Sequence, residues 1–193
     1  MSVDNRQKII EAADELFYAR GFEATSLADI ADVVGLSRGN FYYHFRTKDA
    51  MLDAVISRRL AATRQMLAEW EQTGAEPLER IALFVDILLR NRVKIMAYGC
   101  PVGTLCNELA RLDHVARGTA NAILGLFREW LIRQFVDLGR ADDADALALH
   151  LLMRSQGVAT LANALRDEAF VAREVADMQA WVAAQAAQGQ LAL

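Results

Sequence analysis

Only two prolines, Pro77 and Pro101, interrupt 193 residues, and that scarcity of helix breakers constrains the fold more than any other feature. Proline removes a backbone donor and collides with the preceding turn, so long stretches without it are free to run as helix. No run of β-branched residues alternates with polar ones, the pattern a half-buried strand requires. Alanine and leucine, both good helix formers, supply much of the 54% hydrophobic content. The chain is expected to be all-α. Its length suffices for one or two small domains with a real core.

Charge and cysteine usage narrow the class. A net charge of −4 argues against a general nucleic-acid coat, which is basic overall. It leaves room for a sequence-specific binder, which needs only a local cluster of donors at the phosphates. No segment reaches the roughly 18 uncharged apolar residues of a membrane span, and the first residues do not lead into a signal-peptide core. A cytoplasmic protein with no membrane partner is expected. Cys100 and Cys106 are then expected to be free thiols rather than a disulfide.

Periodicity and capping signals set out the helices. The first is expected after Asp4, a cap with Gln7 three residues on, with Ile9, Ala13, Leu16 and Phe17 on its buried face. Arg20-Gly21 ends it. A second opens at Ser26 with Asp29 completing an approximate capping box, and Leu27, Ile30, Ala31 and Val34 form its stripe. Gly35 breaks it, and Ser37 caps a third helix that runs to about His44, anchored inward by Phe41 and Phe45. Thr47 caps a fourth, whose Met51, Leu52, Val55 and Ile56 face the same small core. That helix, 48–72, meets no breaker and is expected to connect a domain of residues 1–50 rigidly to a domain of 51–193. Gly74-Ala75-Glu76-Pro77 is the strongest boundary signal. Further helices are expected at about 78–96, 102–112, 115–138, 143–166 and 170–188, the last with Val175, Met178, Trp181 and Val182 on one face.

The second and third helices, joined by a glycine turn, have the form of a helix-turn-helix. Anchoring Phe41 and Phe45 inward leaves Arg38, Gly39, Asn40, Tyr42, Tyr43 and His44 at or near the outer surface. A helix that reads the major groove needs this mixture. Amide and guanidinium groups address base edges, an absent side chain permits close approach, and phenol hydroxyls reach phosphates. Thr25, Ser26 and Ser37 at the helix starts and Lys48 on the flank are expected to add phosphate contacts. The plainer reading is a helical hairpin whose polar residues only keep it soluble.

The stretch from about Arg6 to Arg59 resembles the TetR family of transcriptional regulators. The resemblance rests on Ala12-Ala13-Asp14-Glu15-Leu16-Phe17, Gly21-Phe22, Thr25-Ser26-Leu27-Ala28-Asp29-Ile30-Ala31, Gly35-Leu36-Ser37, Phe41-Tyr42-Tyr43-His44-Phe45 and Lys48. Phe41 departs from it, since an aliphatic residue is commoner there. The resemblance implies a homodimer whose N-terminal domains bind a palindromic DNA operator, and a C-terminal helical domain that binds a small molecule and releases the DNA. It also implies that Tyr42 and Lys48 contact phosphates, with Thr25 near the backbone, while residues 37 to 43 read bases.

The C-terminal half offers no comparable motif. Phe84, Met96, Tyr98, Cys100, Cys106, Phe127, Trp130, His150, Met153 and Gln156 are candidates to line an apolar effector pocket, with Asn107 and Arg154 as further polar candidates. Most large side chains among them are equally expected as core. A small hydrophobic or aromatic effector suits such a pocket. The segment Gly99-Cys100-Pro101-Val102-Gly103 looks like an element of some TetR-like regulators. There, Cys100 near a helix start is a candidate thiolate, although both cysteines can equally be small buried hydrophobes. The helices at about 115–138 and 143–166 are expected to form the dimer interface. The face expected for it on the second helix carries Leu147, Leu151, Gly157, Val158, Leu161 and Leu165.

Enzyme readings find little support. His44, His114 and His150 lack metal-ligand spacing, and there is no phosphate-cradling glycine loop or nucleophile elbow. No cofactor is expected. A ligand-carrying helical bundle or an all-α enzyme is the alternative class, and it leaves the outward Asn40-Tyr42-Tyr43-His44 cluster without a role.

Overall fold

The computed structural model describes residues 5–191. Asp4, expected to cap the first helix, lies outside them. Among the described residues there are ten α-helices and no strand. They are α1 (Asn5–Arg20), α2 (Leu27–Val34), α3 (Arg38–His44), α4 (Lys48–Thr73), α5 (Pro77–Arg90), α6 (Arg92–Tyr98), α7 (Pro101–Arg111), α8 (Arg117–Asp137), α9 (Ala144–Leu165) and α10 (Glu168–Leu191). The all-α expectation is met.

The chain divides into two compact units. Among the described residues the first holds those up to Ala62 together with Pro101–Ile123, and the second holds Thr63–Cys100 and those from Leu124 onward. Helix α4 is unbroken and contributes to both, as does α8. The Gly74–Pro77 break joins α4 to α5 inside the second unit.

In the first unit, α1 packs on α2 and on α7. The core is built from the residues the periodicity singles out: Ile9, Ala13, Phe17, Ile30, Ala31, Phe41, Phe45, Met51, Leu52, Val55 and Ile56 are all buried. Burial of such side chains contributes roughly 1.5–3 kcal/mol each. Asp14 joins α1 to α4 by accepting from the guanidinium groups of Arg58 and Arg59, the latter at 2.7 Å. Arg59 is itself buried and also donates to the Pro101 carbonyl at the start of α7.

In the second unit, α10 packs on α5 and α9, and α6 packs on α9. The single helix expected over 78–96 is two. Asn91 leaves helical geometry at φ −103°, ψ 11°, and the Arg92 guanidinium then donates to the Leu89 carbonyl at 3.0 Å. Helix α9 ends at Arg166, in left-handed geometry.

Candidate nucleic-acid interface

The helix-turn-helix is assembled by local capping. Ser26 Oγ accepts from the Asp29 N–H at 3.1 Å, and Asp29 Oδ2 accepts from the Ser26 N–H at 2.7 Å and from its hydroxyl at 2.6 Å. The box expected from the sequence is complete. These bonds stabilise the ionised carboxylate and hold Asp29 below the ordinary aspartate value, chiefly through the Ser26 hydroxyl and then its N–H. Helix α2 stops at Gly35, whose φ of 70° is the left-handed geometry a glycine adopts without a Cβ penalty. Two residues later Ser37 starts α3, its Oγ accepting from the Asn40 N–H at 3.4 Å.

Helix α3 shows a sharp division of faces. Phe41 is fully buried, and Phe45 just beyond the helix is buried too. Arg38, Gly39, Tyr42 and Tyr43 are exposed, and Asn40 and His44 are half-buried. Tyr43 is 81% exposed and Tyr42 44%, and an exposed aromatic pair on one short helix is not explained by packing. The Tyr42 ring meets Phe41 edge-on at 5.7 Å, and Tyr43 meets His44 at 5.2 Å. Nothing lies within 4 Å of where a Gly39 Cβ would stand. A groove edge can therefore approach the backbone there.

Two residues expected at phosphates are placed differently. Thr25 is only 1% exposed, and its hydroxyl donates to the Gly21 carbonyl at 2.7 Å. That donor is consumed inside the domain, so the expected hydroxyl contact from Thr25 is corrected to an internal strut of the α1–α2 loop. Lys48 turns its ammonium to the same loop, donating to the carbonyls of Phe22 at 2.8 Å and Glu23 at 3.0 Å. Its Nζ also stands 4.4 Å from the centre of the Phe22 ring, a cation–π arrangement. An ammonium carries three donors and two are engaged here.

The loop has a partner that sequence reading missed. Glu108, on α7, accepts the N–H groups of Phe22 at 2.9 Å and Glu23 at 2.8 Å. The His114 ring packs edge-on against Phe22 at 5.2 Å. His114 Nδ1 accepts from the Ala116 N–H at 3.1 Å, so in the neutral ring the proton sits on Nε2, 3.4 Å from Asp49 Oδ1. No local pattern announces these contacts, because 86 residues separate Glu108 from Phe22.

The ten effector candidates differ in burial and in the contacts they make. Phe84 and Phe127 meet at 5.8 Å, and Trp130 meets Trp70 edge-on at 5.5 Å, all four buried in the second unit. His150 is exposed and lies 4.6 Å from the Trp181 ring. Met96, Cys100 and Gln156 are half-buried, and Tyr98 is exposed. Cys106 is buried in α7 within the first unit. Met153 is 63% exposed. Leu147, Leu151 and Val158, expected on a dimer face, are buried in the chain's own core. The outward row on α9 is instead Leu149, Met153, Gly157, Leu161 and Leu165, spaced by four and all exposed.

A polar pair on α8 was also missed. Among the described residues, Trp130 Nε1 and Gln134 Oε1 are buried side-chain atoms without a hydrogen-bond partner. They sit one helical turn apart, and Gln134 is 2% exposed. A buried polar group left unpaired costs about 1–3 kcal/mol. Gln134 also lines a hollow of about 360 Å³ with Glu71, Arg80, Ile132, Arg133, Val136 and Asp137. Among the described residues no group of His, Cys, Asp and Glu is arranged to hold a metal ion, and no helix is long and apolar enough to cross a membrane.

Residues 9–55, from α1 into α4, match the family described as bacterial regulatory proteins, tetR family. A probable HTH-type transcriptional regulator from Pseudomonas putida, ArpR, is 45% identical over 87 residues, 45% of this chain and 40% of that protein. An uncharacterized HTH-type transcriptional regulator from Lactococcus lactis, in the lacX 3' region, is 33% identical over 112 residues, 57% of each chain. The chain thus spans between two-fifths and three-fifths of these two curated relatives, whose names are those of regulators and not of enzymes. The fold continues further than the sequence likeness. A crystallised TetR transcriptional regulator from Legionella pneumophila superposes with a TM-score of 0.81 over 92% of this chain and 97% of its own, at 23% identity.

Proposed function

We propose that this chain, whose residues 9–55 match the tetR family of bacterial regulatory proteins, is a homodimeric transcriptional repressor of that family. It binds a palindromic DNA operator through α3 and is released by a small hydrophobic or aromatic effector in its C-terminal helices. One observation carries the DNA-binding reading. Helix α3 holds no acidic residue in a chain that has 25, and it turns a guanidinium, a bare backbone and two phenols outward. Groove readout needs that combination, whereas solubility is served by any charge. In this reading Arg38 and Asn40 address base edges, with Gly39 permitting the approach. Ser37, Tyr42, Tyr43 and His44 hold the phosphates and Lys48 adds its remaining donor, while Ser26 spends its hydroxyl and its N–H on Asp29. Thr25 acts from inside the domain.

The row Leu149, Met153, Gly157, Leu161 and Leu165 supports dimerisation through α9, with α8 beside it. A row of large residues at intervals of four around a glycine is a ridge that a second helix can pack against. Two copies place two α3 helices for half-sites about 34–36 Å apart. The unpaired Trp130 Nε1 and Gln134 Oε1 support an effector that both accepts and donates a hydrogen bond, as a hydroxyl on an aromatic body does. Effector binding shifts the population toward a spacing of the reading helices that no longer fits successive major grooves. Access to DNA agrees with a cytoplasmic location.

The test is selection from a random-sequence duplex library at moderate salt, with the Arg38→Ala, Tyr42→Ala double variant as control. Enrichment of a palindrome by the parent alone is expected. Absence of any enriched sequence overturns the reading in favour of a ligand-carrying bundle.

A further inference from the structure

The segment Gly99-Cys100-Pro101-Val102-Gly103 stands out in the sequence, yet apart from Cys100 as a pocket candidate the readings above give it no role. Structurally it starts α7, and two turns on α7 delivers Glu108 to the α1–α2 loop. The loop is gripped there on the N–H and carbonyl of both Phe22 and Glu23. Glu108 takes the N–H groups of Phe22 and Glu23, one carboxylate oxygen to each, at 2.9 and 2.8 Å. Lys48 takes the two carbonyls of the same residues at 2.8 and 3.0 Å. The surroundings fit a carboxylate closely. A Cβ on Gly21 would stand 3.0 Å from Glu108 Oε1 and 3.3 Å from Oε2. Helix α7 is fixed in turn, because its Pro101 carbonyl accepts from Arg59.

We propose that Glu108 is a positioning residue for DNA reading: its carboxylate, carried on α7, fixes the α1–α2 loop and thereby the register in which α2 and α3 are presented. The inference rests on the DNA-binding reading above. Three residues beyond Glu23, Ser26 caps α2, so displacement of the clamped peptides moves the start of the helix-turn-helix directly. Placement of α7 along its axis becomes placement of α3.

Charge makes the proposal separable from a simple field effect. Glu108 is negative and DNA is a polyanion. Neutralising it would by electrostatics alone tighten binding to every sequence. A positioning role gives the opposite sign.

The experiment compares the parent with Glu108→Gln and Glu108→Ala in two readouts: amide hydrogen exchange at Phe22 and Glu23 in the DNA-free protein, and affinity for the duplex the parent selects. Charge-assisted bonds to both amides are lost in Glu108→Ala, and one neutral acceptor is kept in Glu108→Gln. Exchange at both amides should rise about tenfold or more in Glu108→Ala and less in Glu108→Gln. Affinity should fall about tenfold in Glu108→Ala, with partial rescue in Glu108→Gln, while the far-ultraviolet helix signal is retained. Unchanged exchange at both amides overturns the clamp whether or not DNA binds. Faster exchange with unchanged or tighter DNA binding overturns the positioning role. A parent that selects no duplex overturns the functional reading instead, and the exchange result still decides whether the clamp exists.

Discussion

Gly21 has no alternative at its position. Its φ of +92° lies where L side chains are strained, and the space a Cβ would fill is taken by the Glu108 carboxylate. Gly21→Ala is therefore expected to destabilise the chain by about 1–2 kcal/mol from backbone conformation alone, with more from the displaced carboxylate. Urea unfolding of the variant measures it, and a loss within error would mean the loop relaxes freely. Asp29 makes a prediction about acid. Its folded value is held below the ordinary 3.8, so its contribution is fully present above 3.8 and is lost as pH falls through the lower folded value. Ser26→Ala should flatten that part of the stability–pH profile, as chemical unfolding at a series of acid pH values will show. The capping box was legible because it is written within four consecutive residues. Glu108 was not, because its partners lie far away in sequence and a lone glutamate on an amphipathic helix looks like any solvated one. Thr25 misled for a related reason: a hydroxyl beside a helix start suits a phosphate, and only the Gly21 carbonyl reveals where it points.

Helix α3 is short, and its two faces were readable because the buried aromatics are spaced by four. Its exposed residues are expected to separate into two behaviours. On the proposed reading Tyr42→Phe removes a hydroxyl that holds a phosphate, and it should weaken all sequences alike by about 1 kcal/mol. Asn40→Ala should cost about 1–3 kcal/mol of discrimination at particular base pairs and leave others untouched. Competition binding against single-base variants of the selected site distinguishes them, and a uniform loss for Asn40→Ala removes it from base reading. Other helices were less legible. The sequence 78–96 carries helix-forming residues throughout, and nothing in its periodicity announces that Asn91 turns the chain. Helix α9 is apolar on more than one side, and a helix with apolar residues all round does not declare its inward face. Leu147, Leu151 and Val158 turned in, whereas Leu149, Met153, Leu161 and Leu165 turned out.

At the scale of the whole molecule, the outward row on α9 predicts the assembly. Met153→Arg with Leu161→Arg should convert a dimer to a monomer in sedimentation equilibrium and abolish selection of a palindrome. A variant that stays dimeric locates the interface elsewhere. The polar pair on α8 gives a second prediction. Gln134→Leu removes an unpaired buried carbonyl and should raise the unfolding free energy of the ligand-free protein by about 1 kcal/mol or more. A decrease would mean the amide already has a partner in solution, such as a water.

The first compact unit is discontinuous: residues up to Ala62 are completed by Pro101–Ile123. A ribosome adding about 5–20 residues per second exposes α1 to α3 seconds before Glu108 and His114 exist. This unit is therefore completed late, after the intervening α5 and α6 have emerged, and on the proposed reading a nascent chain is expected to compete poorly for the operator. The same discontinuity governs transplantation. On the positioning role proposed for Glu108, a chimera built by cutting after α3 or within α4 carries α3 without the strut that sets its register, so a transferable head is expected to consist of two stretches of chain rather than one.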